Sequence, residues 1–141
     1  MPSSGSKAVK IISVTNQKGG VGKTTTTINL AAALSQLKKK VLIIDLDPQG
    51  NASTGLGVEV EDRELSTYEF LVEGAPLEKV AMETEISGLS IVPATIDLSS
   101  ADIDLISNEK RSHLLHEALR KKQENKKKYD FILIDCPPSL N

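Results

Sequence analysis

Four short runs of aliphatic, mostly β-branched residues are spaced along the chain. They are Ile11–Val14, Val41–Ile44, Leu89–Val92 and Phe131–Ile134. Their apolar residues are nearly continuous, whereas a strand with one solvent-exposed face alternates apolar and polar positions. Such runs are typical of strands that are buried on both faces of a parallel sheet. We therefore predict four strands of one mostly parallel sheet.

The segments between these runs contain helical periodicity. Thr24–Lys40 is rich in Ala and Leu, and its apolar residues share one helical face. Leu114–Leu119 carries a second apolar stripe, on a helix that Asn108 can cap. A shorter helix is predicted around Leu65–Val72. Because strand, helix and strand joined by short links form a βαβ unit, the pattern predicts an α/β fold with a three-layer, doubly wound, mostly parallel sheet.

The chain has 141 residues, of which 39% are hydrophobic and 26% charged, as in an ordinary globular protein. We expect a flexible leader at residues 1–8 and the N-terminal part of a single domain at residues 9–141. The expectation of a partial domain arises because only seven residues follow the Phe131–Ile134 run. A central parallel strand needs a crossover helix and neighbouring strands to cover it.

Charge and cysteine content narrow the function classes. Residues 59–104 carry twelve acidic and two basic side chains, which is not the charge pattern of a dedicated nucleic-acid binder. Cys136 is the one cysteine, so no internal disulfide is available and a cytoplasmic setting is expected. No run approaches 18 apolar residues, so no membrane span is predicted.

The sequence Gln-Lys-Gly-Gly-Val-Gly-Lys-Thr-Thr follows the first predicted strand and opens the first helix. Glycines allow backbone N–H groups to close around phosphate oxygens, and the helix N-terminus adds partial positive charge. Lys23 is expected to reach the β- and γ-phosphates, Thr24 to coordinate Mg²⁺, and Thr25 to contact the α-phosphate. The residues that the loop itself predicts to hold the nucleotide are Gly19, Gly20, Val21, Gly22, Lys23, Thr24 and Thr25.

Carboxylates follow two of the predicted strands. Asp45 and Asp47 come after the second strand, and Asp135 ends the fourth. Open α/β sheets bind ligands at the carboxyl ends of their strands, so these side chains are expected beside the phosphate loop. We predict that Asp47 orients an attacking water, and that Asp45 and Asp135 support Mg²⁺ and its water shell together with Thr24.

The phosphate loop departs from the common G-x-x-x-x-G-K-[ST] pattern, since Gln17 stands where a glycine is usual and Lys18 precedes the double glycine. This variant resembles the deviant Walker A motif of the family that includes ParA and MinD ATPases, the nitrogenase iron protein and the arsenite-pump ATPase. The D-L-D-P-Q-G-N sequence at 45–51, I-V-P-A-T at 91–95 and D-C-P-P-S-L at 135–140 are similar to the ParA/Soj partitioning group.

The resemblance covers nearly the whole chain from about residue 8 and implies an ATP-dependent switch for chromosome or plasmid segregation. It implies that ATP-bound monomers form a sandwich dimer, with Lys18 reaching the partner's nucleotide and acting in catalysis with Asp47. It also implies non-specific DNA binding through residues beyond position 141, stimulation by a ParB-type partner, and a nucleoid-associated location without a membrane.

Three alternatives remain open from the sequence. A metallo-redox ATPase like the iron protein requires further cysteines in addition to Cys136. A MinD-like ATPase requires an amphipathic C-terminal helix for membrane placement. A non-catalytic interaction module requires no hydrolysis at all.

Overall fold

The computed structural model of the chain describes residues 9–14, 21–99 and 129–136, together with His113, Leu115–Glu117 and Leu119; for residues 21–25 it describes the backbone alone. Within those residues lies a five-stranded sheet with the order β1-β5-β2-β4-β3. Its strands are β1 (Lys10–Val14), β2 (Val41–Asp45), β3 (Met82–Glu83), β4 (Leu89–Val92) and β5 (Phe131–Asp135). The helices are α1 (Val21–Gln36), α2 (Asn51–Gly55), α3 (Thr67–Val72) and α4 (Leu77–Val80), with 3₁₀ turns at Val60–Asp62 and Ile96–Ser99.

All four predicted strands are confirmed within one residue, and β1, β5, β2 and β4 are parallel. β3 was not predicted, because two residues are too short to show a period; it pairs antiparallel with β4. The expectation of burial on both faces holds for β2, whose five residues are all buried. It is wrong for β1, which lies at one edge of the described sheet and leaves Ile12 38% exposed.

Alternate residues of the central strands point to opposite faces of the sheet, as strand geometry requires. Leu42 and Ile44 of β2 pack in a cluster with Leu115 and Leu119, the described helical residues that precede β5. Val41 and Ile43 pack in a second cluster with Ala31 of α1, so helices cover both faces. The three-layer, doubly wound α/β architecture is confirmed. No helix in the described part of the chain is long and apolar enough to cross a membrane.

The helices differ from prediction at their ends. The first helix begins at Val21 and ends at Gln36, whereas Thr24–Lys40 was predicted. The short predicted helix is α3, where Phe70 is the buried apolar residue. Its first turn is closed by a capping box, in which the Ser66 Oγ accepts from the Tyr68 N–H at 3.2 Å and the Glu69 carboxylate accepts from the Ser66 N–H at 2.8 Å. Asn108, Leu114 and Ala118 lie outside the described residues or side chains.

The parallel register places three strand ends side by side. Asp135 of β5 is the register partner of Val14 in β1 and of Asp45 in β2. Thr67 at the start of α3 links the end of β2 to the end of β4. Its N–H donates to the Pro93 carbonyl at 2.9 Å, and its Oγ1 donates to the Asp45 carbonyl at 2.8 Å. The candidate site is therefore built on one carboxyl edge of the sheet.

Candidate functional site

Two buried carboxyl groups mark this edge of the sheet. Asp45 and Asp135 are each 0% exposed and occupy paired positions on neighbouring parallel strands. Burying a carboxylate is costly unless hydrogen bonds, a cation or protonation compensates it. Two such groups on adjacent strands are therefore typical of a site with a chemical role rather than of a packing core.

Asp45 is held by three donors from the segment that follows it. Its Oδ1 accepts from the Asp47 N–H at 3.1 Å, and its Oδ2 accepts from the Ser53 N–H at 3.0 Å and the Ser53 hydroxyl at 2.7 Å. Burial nevertheless raises the pKa of Asp45 from 3.8 to about 6; the Ser53 and Asp47 hydrogen bonds lower it, and the Asp135 charge raises it further. Asp45 thus fixes the loop around itself while it remains able to exchange a proton near neutral pH.

Asp47 lies in a turn that its own side chain helps to close. Its Oδ1 accepts from the Gln49 N–H at 3.0 Å, its Oδ2 from the Asn51 side-chain amide at 3.2 Å, and its carbonyl from the Gly50 N–H at 2.8 Å. The residue is largely buried. The donors of the turn itself therefore fix the direction of this carboxylate.

Asp135 is linked to the first helix. The Thr27 hydroxyl, fully buried in α1, donates to the Asp135 Oδ1 at 3.1 Å. Thr27 lies one helical turn after residue 24, and residues three apart share a helix face. The face of α1 that carries Thr27 therefore packs against the end of β5.

The predicted nucleotide-binding residues are described unequally. Lys18, Gly19 and Gly20 lie outside the described residues. The backbone of Val21–Thr25 forms the first turn of α1, so Gly22, Lys23, Thr24 and Thr25 lie at the helix N-terminus. That end of a helix carries free N–H groups and partial positive charge, which suits an anionic ligand.

The donor set at this edge fits a hard divalent cation. Carboxylate and hydroxyl oxygens are the ligands that Mg²⁺ prefers, and Mg²⁺ usually retains several waters beside one or two carboxylates. The described residues contain no group of three or more His, Cys, Asp and Glu side chains arranged to hold a metal by themselves. Two buried carboxyl groups at this edge are thus suited to a hydrated cation that a phosphate ligand shares.

The iron-protein alternative finds no support in the position of the thiol. Cys136 is half-buried and its Sγ lies 3.8 Å from the Ile134 carbonyl oxygen. It is the one cysteine of the sequence.

Sequence reasoning missed three polar residues that complete the site. Thr27 donates to Asp135, Ser53 donates to Asp45, and Arg63 lies against Gly50 in the turn that contains Asp47. Ser53 also accepts from the Ala94 N–H at 3.0 Å, so it joins the end of β2 to the loop after β4. Single Ser, Thr and Arg residues carry no periodic signal, and only the fold shows what they contact.

Known proteins resemble this chain over most of its length. A family profile described as an AAA domain matches residues 9–141. The chain is 49% identical over 131 residues to the sporulation initiation inhibitor protein Soj of Bacillus subtilis (strain 168), covering 93% of the chain and 51% of that protein. It is 47% identical over 133 residues to the chromosome partitioning protein ParA of Caulobacter vibrioides, covering 94% of the chain and 49% of that protein.

A solved structure supports the same fold. The chain is similar to cobyrinic acid a,c-diamide synthase from Mycobacterium smegmatis with bound ATP analog and magnesium, with a TM-score of 0.80 and 36% identity over 94% of this chain and 52% of that one. The 49% and 47% identities to Soj and ParA over more than nine-tenths of the chain confirm the resemblance to ParA/Soj proteins. The chain spans about half the length of the curated relatives it matches.

Proposed function

The chain belongs to the AAA domain family, and from that premise we propose that it is the nucleotide-binding part of an ATP-dependent switch for DNA segregation. The observation that carries the proposal is the carboxyl edge of the sheet. There Asp45 and Asp135 lie paired and buried, the Asp47 turn follows, and α1 opens at a phosphate-loop sequence. This arrangement suits a ligand that brings both phosphate and a cation.

ATP is the proposed ligand. The N-terminal turn of α1 and the glycines before it supply backbone N–H groups to the phosphates, and Lys23 supplies a charge to the β- and γ-phosphates. Thr24, Asp45 and Asp135 are the residues that would hold Mg²⁺ with its waters. Bound Mg²⁺ would supply neutralisation of phosphate charge. Thr27 supports this set by donating to Asp135.

Asp47 is the proposed water-orienting residue. Its side chain is fixed by the Gln49 N–H and the Asn51 amide, so its direction is set before any ligand arrives. A carboxylate held in this way can accept a hydrogen bond from the attacking water and align it with the γ-phosphate. Lys18 is proposed to act from the facing subunit of an ATP-dependent homodimer.

The cellular part of the proposal rests on the similarity to Soj and ParA. We infer that the full-length protein acts in the cytoplasm at the nucleoid, binds DNA without sequence preference through residues beyond position 141, and is reset when a ParB-type partner stimulates hydrolysis. The 49% and 47% identities support this role over that of other phosphate-loop proteins.

The test is Mg²⁺-dependent ATP binding by the full-length protein, measured by calorimetry. Each charge-assisted hydrogen bond is worth about 1.5–3 kcal/mol, so Lys23→Ala should weaken ATP binding roughly tenfold or more. Lys79→Ala, which changes an exposed lysine of α4, should bind ATP as the parent does. Equal ATP affinity in the parent and in Lys23→Ala would refute the phosphate-loop assignment.

A second measurement separates the role from its alternatives. DNA co-sedimentation with ATP and with ADP should show ATP-dependent binding by the parent. Capture on anionic lipid vesicles in place of DNA would favour membrane placement. Absence of hydrolysis with DNA and the ParB-type partner present would favour an interaction module.

A further inference from the structure

Arg63 is a buried cation just after the Val60–Asp62 turn, and only 7% of it is exposed. Its Nη1 donates to the Ala94 carbonyl at 3.1 Å, and its Nη2 to the Thr54 hydroxyl at 3.0 Å and the Val58 carbonyl at 2.6 Å; its Nε also donates to Val58 at 3.2 Å. Among the described residues no carboxylate lies within ion-pair distance of this guanidinium. Burial of a charge is tolerated when hydrogen bonds replace its water, so these contacts hold Arg63 in one place.

The guanidinium lies directly against the backbone of Gly50. Gly50 has φ +67°, and a Cβ added there would clash with the Arg63 Nη1 and lie 3.3 Å from the Ala94 carbonyl oxygen. The Gly50 backbone therefore covers the hydrogen bond between Arg63 and Ala94. A side chain at position 50 is incompatible with both the backbone conformation and the space.

Gly50 belongs to the turn that carries Asp47. The Gly50 N–H donates to the Asp47 carbonyl at 2.8 Å, and the Gly50 carbonyl accepts from the Thr54 N–H at 2.9 Å. Arg63 also binds the Thr54 side chain. The guanidinium thus contacts the Asp47–Asn51 turn at Gly50 and helix α2 at Thr54. Its hydrogen bond to the Ala94 carbonyl links both of these segments to the loop that follows β4.

We propose that Arg63 is a positioning residue for ATP hydrolysis, which holds the Asp47–Asn51 turn against the Ala94 loop and so sets the direction of the Asp47 carboxylate. This inference rests on the proposed function. Arginine is required because its planar guanidinium reaches acceptors in several fixed directions at once. Lysine keeps the charge but cannot bind Val58, Thr54 and Ala94 together.

The diagnostic variant is Arg63→Lys in the full-length protein. Without nucleotide, amide hydrogen exchange at Gly50, Thr54 and Ala94 should become about tenfold faster, as expected when one or two hydrogen bonds are lost. Exchange in β2 should stay as in the parent. With saturating Mg²⁺-ATP, kcat should fall about tenfold while the Kd for ATP changes less than about threefold, because only the water-orienting step is affected.

Two further variants keep the test decisive. Gly50→Ala retains Arg63 and pushes the turn away from it, so it should produce the same faster exchange and the same selective loss of kcat. Val80→Ala removes a buried side chain of α4 that packs in the apolar cluster of Leu42 and Ile44, so it should lower the melting temperature without a selective loss of kcat. This comparison separates positioning from general destabilisation.

The outcomes are distinguishable. If amide exchange at Gly50, Thr54 and Ala94 in Arg63→Lys equals that of the parent, Arg63 does not hold the turn against the Ala94 loop. This conclusion holds whether or not the protein hydrolyses ATP. Faster exchange with unchanged kcat overturns the positioning role, as does an equal loss of kcat in Val80→Ala. If the parent protein binds no ATP, the proposed function and the catalytic part of this inference are refuted. Amide hydrogen exchange still shows whether Arg63 holds the turn.

Discussion

Asp45 and Asp135 are register partners at the ends of the adjacent parallel strands β2 and β5, and both are completely buried. The two carboxyl groups are secured by different parts of the chain. Ser53 and the Asp47 amide hold Asp45, whereas Thr27 of α1 binds Asp135. This pair therefore connects the helix that begins at the phosphate-loop sequence with the turn that carries Asp47.

Asp47→Ala in the full-length protein should suppress ATP hydrolysis and leave ATP binding intact. The reason is that Asp47 is proposed to act on water and not on the nucleotide. The ATP-bound dimer should then accumulate, which size-exclusion chromatography with light scattering detects. Asp97→Ala, an exposed carboxylate after β4, is the matched control. Hydrolysis by Asp47→Ala at the parent's stimulated rate would show that Asp47 has another role.

Lys18→Gln should lose ATP-dependent dimerisation and hydrolysis together. Its charge is proposed to meet phosphates of the facing subunit, where it supports association and the charge that develops during phosphoryl transfer. The ATP affinity of the monomer should fall much less than in Lys23→Ala. Calorimetry and light scattering on the same samples measure both properties. Normal dimerisation and hydrolysis in Lys18→Gln would leave Lys18 a surface lysine.

Thr27→Val should destabilise the site, because it removes the hydroxyl that donates to the buried Asp135 carboxyl. A hydrogen bond to a charged group is worth about 1.5–3 kcal/mol, and the free energy of unfolding should fall by that amount. Thr27→Ser keeps the hydroxyl and should remain closer to the parent. Denaturant unfolding measures the difference in stability between the two variants. The Mg²⁺ dependence of ATP binding shows whether loss of the Thr27 hydroxyl also affects the cation. Equal stability of the Val and Ser variants would contradict this role of Thr27.

The raised pKa of Asp45, about 6 against 3.8, predicts a pH-dependent stability without nucleotide or metal. Between these values the folded protein keeps a proton that the unfolded chain has lost. The stabilisation is therefore complete below about pH 4 and is lost as the pH rises through about 6, on the order of 3 kcal/mol in total.

Asp45→Asn isolates this effect because position 45 no longer titrates. The free energy of unfolding of the parent, minus that of Asp45→Asn, should decrease from pH 4 to pH 6 and level off above pH 7. Chemical denaturation across this pH range measures both proteins. A difference that is flat or increases with pH would show that Asp45 has no raised pKa in the folded state.

Local sequence determined most of the sheet. Strands β1, β2, β4 and β5 follow from continuous aliphatic runs, and the carboxyl-edge positions of Asp45 and Asp135 follow from the strand ends. The phosphate-loop sequence predicted a helix start, because glycines, lysine and threonines in that order serve one local structure. These features are local, so they can be recognised before the fold is known.

Tertiary structure alone decided how the site is held together. Arg63 lies in an acidic, weakly periodic stretch, yet it is buried beneath Gly50 and bound to Ala94 more than thirty residues away. Thr27 likewise meets Asp135 only when α1 packs against β5, and Ser53 meets Ala94 only when β2 and β4 lie side by side. A hydrogen bond between residues far apart in sequence leaves no periodic pattern, because its geometry exists only after the chain has packed. The sequence by itself therefore determined which groups the edge of the sheet carries, and packing determined how they are held and buried.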